Sequence, residues 1–477
     1  MMRFGSAHYY AMVWVNGQEV MTHDGGHLPF EGEINSALNF DGPNRVTVAV
    51  NNTLLPTTLP PGQLEFKTDT KKYPPGYFTQ VVQMDFFNYA GIHRHVHLYT
   101  KPKVSIDDIT IVTTMQGTSG VVTYGVMVGG TGSEDPDSVE VAVLDRDGQE
   151  VGHTTSRLQD TIAIPQPRLW WPYTMRSDDP GYMYTLKVNV SGDVYRQPFG
   201  IRTIQVTDSK FLINSLPFYC LGVAKHEDSD IRGKGLDYPL IARDFNMLKW
   251  LGVNCFRTSH YPYAEEIMDQ ADQQGIVVID ESPGVGIVRL PEAEPYFREV
   301  IEHTRAIDVA RRPVTFVANA EYETDRATQF VDVICVNRYF GWYSDMGHTE
   351  VITLQLSADL EGWHAKHPGK PIIITEYGAD TVEPSFVFTE EYQVDFMSEY
   401  HATFDKYRAQ YLVGEMVWNF ADFMTVEGLT RVVGNRKGVL TRQRQPKASG
   451  HLLRQRYLKL GNNTFDGTAP TDLPVIG

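Results

Sequence analysis

Residues 371–378 read Pro371-Ile-Ile-Ile-Thr-Glu-Tyr-Gly378, an apolar and β-branched run that ends on a carboxylate, Glu376. A short continuous apolar run is the pattern of a strand buried on both faces, as in a parallel sheet. In a (β/α)8 barrel the chemistry sits at the carboxyl ends of the strands, so an acid there reads as functional. The sequence after Asp208 repeats the pattern. Seven buried runs, Phe218–Val223, Asn254–Ser259, Ile276–Asp280, Val314–Ala318, Val331–Asn337, Ile372–Thr375 and Val413–Trp418, are separated by helical stretches such as Pro239–Leu251 and Tyr263–Gln274. That alternation predicts a parallel sheet or barrel, and seven strands are one short of eight.

Upstream the period changes to two. Residues 1–101 alternate apolar and polar positions (His8-Tyr-Tyr-Ala-Met-Val-Trp-Val-Asn-Gly17, Arg45-Val-Thr-Val-Ala-Val50) between Gly, Pro and Asn, which predicts an antiparallel sandwich. The first strand begins almost at Met1, which implies a sheet without its opening strands and an exposed edge. Residues 102–207 carry about seven more short strands with frequent turns, as in an immunoglobulin-like sandwich. Trp170-Trp171-Pro172 within it reads as packing. The chain is thus multidomain, β followed by α/β: a sandwich over 1–101, a second sandwich over 102–207 and a barrel over 208–477.

At 477 residues, two to four domains are expected, and 42% hydrophobic with 21% charged residues is a globular composition. The net charge of −17, with no basic stripe, argues against a nucleic-acid partner. No apolar run approaches the ~18 residues of a membrane span. Cys220, Cys255 and Cys335 all lie in apolar runs and read as buried thiols, neither a disulfide framework nor a metal set. The opening Met-Met-Arg-Phe-Gly-Ser6 has no apolar signal region, whereas sequons at Asn51, Asn189 and Asn462 are glycosylation candidates that give weak support to a secreted or lysosomal route.

Glycosidase chemistry uses two carboxylates, one to attack or activate water and one to protonate the leaving oxygen. Glu281, Glu376, Glu415 and Asp422 lie at strand ends, and Glu376 has the most exposed-looking position because Gly378 permits a sharp turn.

These residues resemble glycoside hydrolase family 2, and within it the animal glucuronidases. The run Asn254-Cys-Phe-Arg-Thr-Ser-His-Tyr-Pro-Tyr-Ala-Glu-Glu266, leading into Val277-Val-Ile-Asp-Glu281, resembles the family's first signature. Similar matches are Asp85-Phe-Phe-Asn-Tyr-Ala-Gly91, Phe211-Leu-Ile-Asn214, Lys225-His-Glu-Asp-Ser-Asp-Ile-Arg-Gly-Lys-Gly235, Gly414-Glu-Met-Val-Trp-Asn-Phe-Ala-Asp-Phe423 and Gly434-Asn-Arg-Lys-Gly-Val-Leu-Thr-Arg-Gln-Arg-Gln-Pro-Lys447. The resemblance implies a jelly-roll sugar-binding domain, an immunoglobulin-like sandwich and a TIM barrel. It implies Glu376 as nucleophile, hydrogen-bonded by Tyr339 of Asn337-Arg-Tyr-Phe-Gly-Trp-Tyr343, and Asp85, His260, Tyr343 and Trp418 around the sugar. Asn435 and Lys437 resemble the Asn-x-Lys pair of glucuronidases, and Arg431 would add a second cation. Such charge-assisted donors suit a C6 carboxylate, although a Lys and Arg cluster is more commonly a solvated loop. The implied substrate is a glucuronide or glycosaminoglycan fragment, with no metal or organic cofactor, in a lysosomal homotetramer.

One element of the resemblance is missing. The family's acid/base is a Glu in an Asn-Glu pair closing the fourth strand, and no such run is found. After Gly284-Val-Gly-Ile-Val288 the chain passes Arg289-Leu-Pro-Glu-Ala-Glu-Pro-Tyr-Phe297 into a helix expected over Arg298–Ala310. Glu321 in Ala318-Asn-Ala-Glu321 imitates the pair, but its flanks resemble the non-catalytic fifth strand; Glu292 and Glu294 read as loop residues. At ~250 residues for eight βα units, one absent unit is about 30–40 residues. The third and fifth family strands then face a gap or pair directly.

Overall fold

Alternation in the first hundred residues buries one face of each strand: Tyr10–Val15 pairs with Gln18–Asp24 and with Val46–Asn51, and Ala11, Val13 and Val15 are fully buried. Its hairpin turns on Asn16-Gly17, both with positive φ (52° and 86°), the type I′ geometry that matches strand twist. The computed structural model describes residues 1–82, 84–130, 138–283, 293–381, 389–428 and 431–462, without the side chain of Asn462. Glu292, weighed above as a stray acid, and the Asn462 side chain thus fall outside the described residues. Met2–Phe4 is central in its three-stranded sheet, between Val96–Leu98 and Phe30–Gly32. Of its two edge strands, Val96–Leu98 is exposed at all three positions.

The next segment forms a three-stranded sheet (Val104–Gln116, Ser119–Gly130, Gln159–Pro165) and a four-stranded sheet (Glu150–Thr155, Val139–Leu144, Tyr184–Val190, Asp193–Phe199) around one core. The tandem tryptophans do pack. Trp170 is buried and donates from its indole to the Asp272 carbonyl (2.7 Å), which docks this sandwich on the barrel.

All seven buried runs form one parallel sheet. We number its strands β1 (Cys220–Lys225), β2 (Cys255–Thr258), β3 (Val277–Ile279), β4 (Thr315–Ala318), β5 (Val333–Asn337), β6 (Ile372–Glu376) and β7 (Leu412–Val417). Helices α1 (Tyr238–Leu251), α2 (Glu265–Gln274), α3 (Ala293–Ile307), α4 (Ile352–Lys366), α5 (Glu390–Tyr407) and α6 (Ala448–Asn462) lie between or after them. The strand order is β3-β2-β1-β7-β6-β5-β4, so β3 and β4 are the two ends and do not pair among the described residues. Burial reports the same seam. Every residue of β1, β2, β6 and β7 is buried, whereas β3 is only half-buried throughout and β4 is buried only at Ala318. Helix α3 begins five residues earlier than expected and packs Phe297 on Phe316 of β4, which places Glu294 on a helix, paired with Arg298 at 3.2 Å.

One expectation about the cysteines is overturned. Cys220 and Cys255 form a disulfide with their Cα atoms 5.5 Å apart, while Cys335 is a buried free thiol. Parallel pairing sets Gly222 opposite Cys255. With no side chain at Gly222, the Cys220 sulfur leans across the space a Cβ would occupy and reaches its partner. Apolar runs alone do not reveal such a register.

The first domain meets the barrel over a buried basic cluster. His8 packs on His27 and His93 (ring centroids 4.6 and 4.2 Å), and the Lys234 ammonium lies 3.3 Å from His27 Nδ1 and 3.2 Å from the Tyr261 ring centroid. Burial, then the Lys234 charge, pushes His8 and His27 well below the usual imidazole range and His93 down to about 4. A histidine depressed on folding contributes stability above its unfolded value near 6.5 that is lost as pH falls towards the folded value. Acidification from pH 7 to 4.5 is therefore expected to lower the melting temperature, and His8→Gln to flatten that dependence. Identical pH profiles for the two proteins in a thermal melt would rule His8 out as its source.

Candidate active site

Sequence places Glu376 at the last residue of β6, where the strand emerges at the barrel's carboxyl end. Its exposed appearance in the sequence is not what the fold delivers: Glu376 is buried, only 6% exposed. The reason is Gly378, whose value lies in close approach. A Cβ there would run into the Trp418 carbonyl oxygen, so the chain after Glu376 is pressed inward against β7.

A buried carboxylate needs partners, and two supply them. Tyr339 donates from its hydroxyl to Glu376 Oε2 at 2.6 Å. Burial, then the Glu376 charge, drives the Tyr339 phenol well above its ordinary range, so it remains a donor. Tyr339 is held because Arg338, just before it, forms a buried two-bond pair with Asp359 of α4 (2.7 and 2.9 Å). The second partner is Arg257 of β2, fully buried, whose Nη2 makes a close ion pair with Glu376 Oε1. Its Nη1 makes another with Glu281, just past β3. One guanidinium thus bridges the ends of β3 and β6. Burial pushes the Glu281 carboxyl up, but Arg257 and then His260 outweigh it and hold Glu281 at about 2. An acid that ionises there is no proton donor near neutrality.

His260 stacks on Trp418 (5.0 Å between centroids, 17° between planes) and lies 3.3 Å from Glu281 through Nδ1. Trp418 is buried, whereas Tyr343 stands 63% exposed at the rim, edge-on to Tyr339 at 5.0 Å. Beside it lies the cationic group. Arg431 donates to Asp85 from the first domain (2.8 Å from Nη2), to Asp380 (3.1 Å from Nη1) and to the Tyr343 hydroxyl (3.1 Å). Asn435 donates from Nδ2 to Asp85 at 2.9 Å. Lys437 is fully buried, makes a close ion pair with Asp380, and points its ammonium at the rings of Trp342 and Tyr343 (5.1 and 5.0 Å). A cation over aromatic faces with one carboxylate partner can still donate to a further anion. Burial pushes the Asp85 carboxyl up, but the hydrogen bonds and charge of Arg431, with Asn435 and Lys437, together outweigh it and keep it below its usual range.

The remaining strand-end acids are structural. Glu415 is fully buried and takes hydrogen bonds from Arg456 of α6 (2.6 Å) and the Tyr219 hydroxyl (2.8 Å). Asp422 pairs with Lys447 at 2.7 Å. Glu321 lies exposed in the turn after β4. Arg257 and Asp380 were missed from the sequence. An arginine inside an apolar strand and an acid four residues beyond Glu376 were the available signals. Among the described residues no group of three or more His, Cys, Asp or Glu is arranged to hold a metal ion, and no helix is long and apolar enough to cross a membrane.

Comparison with known proteins identifies the family of the chain. The sugar binding domain of glycosyl hydrolases family 2 matches residues 1–102, a further family 2 domain matches 104–202, and the family's TIM barrel domain matches 204–294 and 290–462. The chain belongs to glycosyl hydrolases family 2. Its jelly-roll, immunoglobulin-like and TIM-barrel architecture and its glycoside hydrolase class are those the sequence motifs implied. It is 50% identical to the β-glucuronidase of Mus musculus over 97% of this chain and 78% of that protein, and 47% identical to that of Homo sapiens over 97% and 79%. Among solved structures, the β-D-glucuronidase of Dictyoglomus thermophilum superposes with a TM-score of 0.90 at 40% identity, covering 96% of this chain and 86% of that one. A Ruminococcus gnavus β-glucuronidase in complex with a C6-substituted uronic isofagomine superposes at 0.87, with 33% identity, over 96% of this chain and 85% of that one. The family 2 barrel matches in two pieces that meet at 290–294, between β3 and β4.

Proposed function

We propose that the chain is a retaining β-glucuronidase, with Glu376 as nucleophile, acting on the terminal glucuronate of glucuronides or glycosaminoglycan fragments. The observation that carries this reading is the pairing of a doubly hydrogen-bonded carboxylate at the end of β6 with the Arg431, Asn435 and Lys437 group beside it. Tyr339 and Arg257 hold the nucleophile by a hydrogen bond and an ion pair, and it attacks the anomeric carbon as the glycosidic C–O bond breaks. Lys437 and Arg431 bind the C6 carboxylate, Asp85 accepts from Arg431 and Asn435 and keeps both in place, and His260, Trp418 and Tyr343 shape the sugar pocket. No step needs a metal or organic cofactor. On this reading the family's acid/base is missing with a βα unit between β3 and β4, which would leave the leaving oxygen without a proton donor among the described residues. A binding-only relative is the second reading, favoured by β3 and β4 not pairing among the described residues and by Glu281 being held ionised.

Glucuronides should be preferred over the matching glucosides, and Lys437→Met should reduce that preference on the order of 10–100-fold, the worth of one charge-assisted hydrogen bond. The comparison is made on aryl pairs differing only at C6, by turnover or, failing turnover, by inhibitor affinity. An unchanged ratio removes Lys437 from its role. We further infer a lysosomal homotetramer with glycans at Asn51, Asn189 and Asn462. The Cys220–Cys255 disulfide suits passage through an oxidising compartment.

A further inference from the structure

Resting on that glucuronate reading, we propose that Asp380 is a positioning residue that holds the Lys437 ammonium and the Arg431 guanidinium in register with Glu376, and so sets discrimination between sugars with and without a C6 carboxylate. Asp380 follows Glu376 after three buried residues, Tyr377, Gly378 and Ala379, on a segment pressed against the Trp418 carbonyl. Its Oδ2 accepts from both Lys437 Nζ and Arg431 Nη1, and its Oδ1 accepts from the Arg436 backbone N–H at 2.8 Å. One carboxylate therefore engages Arg431, Arg436 and Lys437 at once. Gln393 of α5 fastens the same two segments from behind, donating to the Ala379 carbonyl at 3.0 Å and the Lys437 carbonyl at 3.1 Å. The carboxylate-binding loop and the nucleophile strand are thereby tied at backbone and side chain alike.

The electrostatics require such a residue. Lys437 is fully buried among aromatic rings, and Asp380 is the one hydrogen-bond acceptor of its ammonium among the described residues. An isolated buried cation is costly, so an anion site of this kind needs a counter-charge in the free protein. That counter-charge must sit on the side away from the substrate, or it blocks the site. The two carboxylates on Arg431 differ in this respect: the Asp85 side chain is 44% exposed and that of Asp380 is 4% exposed. Asp380 is the embedded one. A pyranuronate ring fixes the separation of its anomeric carbon and its carboxylate, so cations held to the strand of Glu376 select substrates by that separation.

The test measures binding of two probes by calorimetry, a C6-carboxylated uronic isofagomine and isofagomine without the carboxylate. The wild-type protein is expected to prefer the uronic probe at least tenfold, on the order of one charge-assisted bond. Asp380→Asn, which turns amide donors towards the two cations, is expected to reduce that ratio about tenfold while changing affinity for the neutral probe by less than about threefold. A ratio unchanged in Asp380→Asn but lost in Lys437→Met overturns the role of Asp380 and leaves the pocket reading intact. Equal weakening of both probes by Asp380→Asn also overturns it, since a general structural role does that. No preference in the wild type sinks the glucuronate reading itself. If Asp380→Asn does not fold, Asp380→Glu keeps the charge but displaces it by one methylene, and an unchanged ratio there overturns the proposal.

Discussion

A 2,4-dinitrophenyl β-glucuronide is expected to be hydrolysed by this chain far faster than an alkyl β-glucuronide, and Glu376→Gln is expected to abolish the hydrolysis. In the first step a Glu376 oxygen forms a bond to the anomeric carbon and the aglycone oxygen departs with the bonding pair. A dinitrophenolate carries that charge unaided, whereas an alkoxide needs a proton. With Glu281 held at about 2, the other carboxylate on Arg257 among the described residues cannot supply one. General-acid help contributes roughly 10²–10⁴ in rate, so the alkyl substrate should lag by at least that factor beyond its intrinsic reactivity. On the proposed reading the second step should slow equally, because water attacking the glycosyl-enzyme would lack a base. Azide is already an anion and needs none. It should accelerate turnover and yield the β-configured glucuronyl azide, detectable by proton NMR. Alkyl and activated aryl substrates handled with the ordinary small difference of an intact hydrolase would show that an acid is present. No turnover of the dinitrophenyl substrate by folded protein would favour the binding-only reading.

How much of this was visible beforehand depends on whether a feature is local. The seven strands of the barrel each occupy one apolar run, so their existence followed from composition, and their ends shift by at most two residues from the expected ones. Counting them also exposed the seam that separates β3 from β4. Features set by what lies beside a strand were hidden. Cys220 reaches Cys255 only because the parallel register puts Gly222 between them. Glu376 looked exposed because a following glycine suggests a turn, whereas the Trp418 carbonyl closes over that glycine. Arg257 sat inside a quoted motif without a role. Its charge makes sense only once β3 and β6 deliver carboxylates to either side of it.

Arg257→Met is expected to be the most destabilising single change in the site, costing about 3–5 kcal/mol at neutral pH, the range for removing one partner of a buried ion pair. The guanidinium is fully buried and serves two carboxylates, so its loss leaves both Glu281 and Glu376 without their cation. Methionine fills similar volume, which separates the charge effect from a cavity effect. The pH dependence identifies the cause. In the wild type Glu281 is lowered from 4.5 to about 2, so its contribution is fully present above 4.5 and lost as pH falls from there towards 2. Without Arg257 the burial of Glu281 dominates and raises its value, and protonation then favours the folded state. Acidification should therefore narrow the gap between the two proteins and close much of it by about pH 3, where the variant's acid is neutral. Urea midpoints measured at pH 7, 5 and 3 test this directly. A gap that stays constant across the three would mean that Arg257 stabilises by packing, and that the two carboxylates at the ends of β3 and β6 do not depend on it.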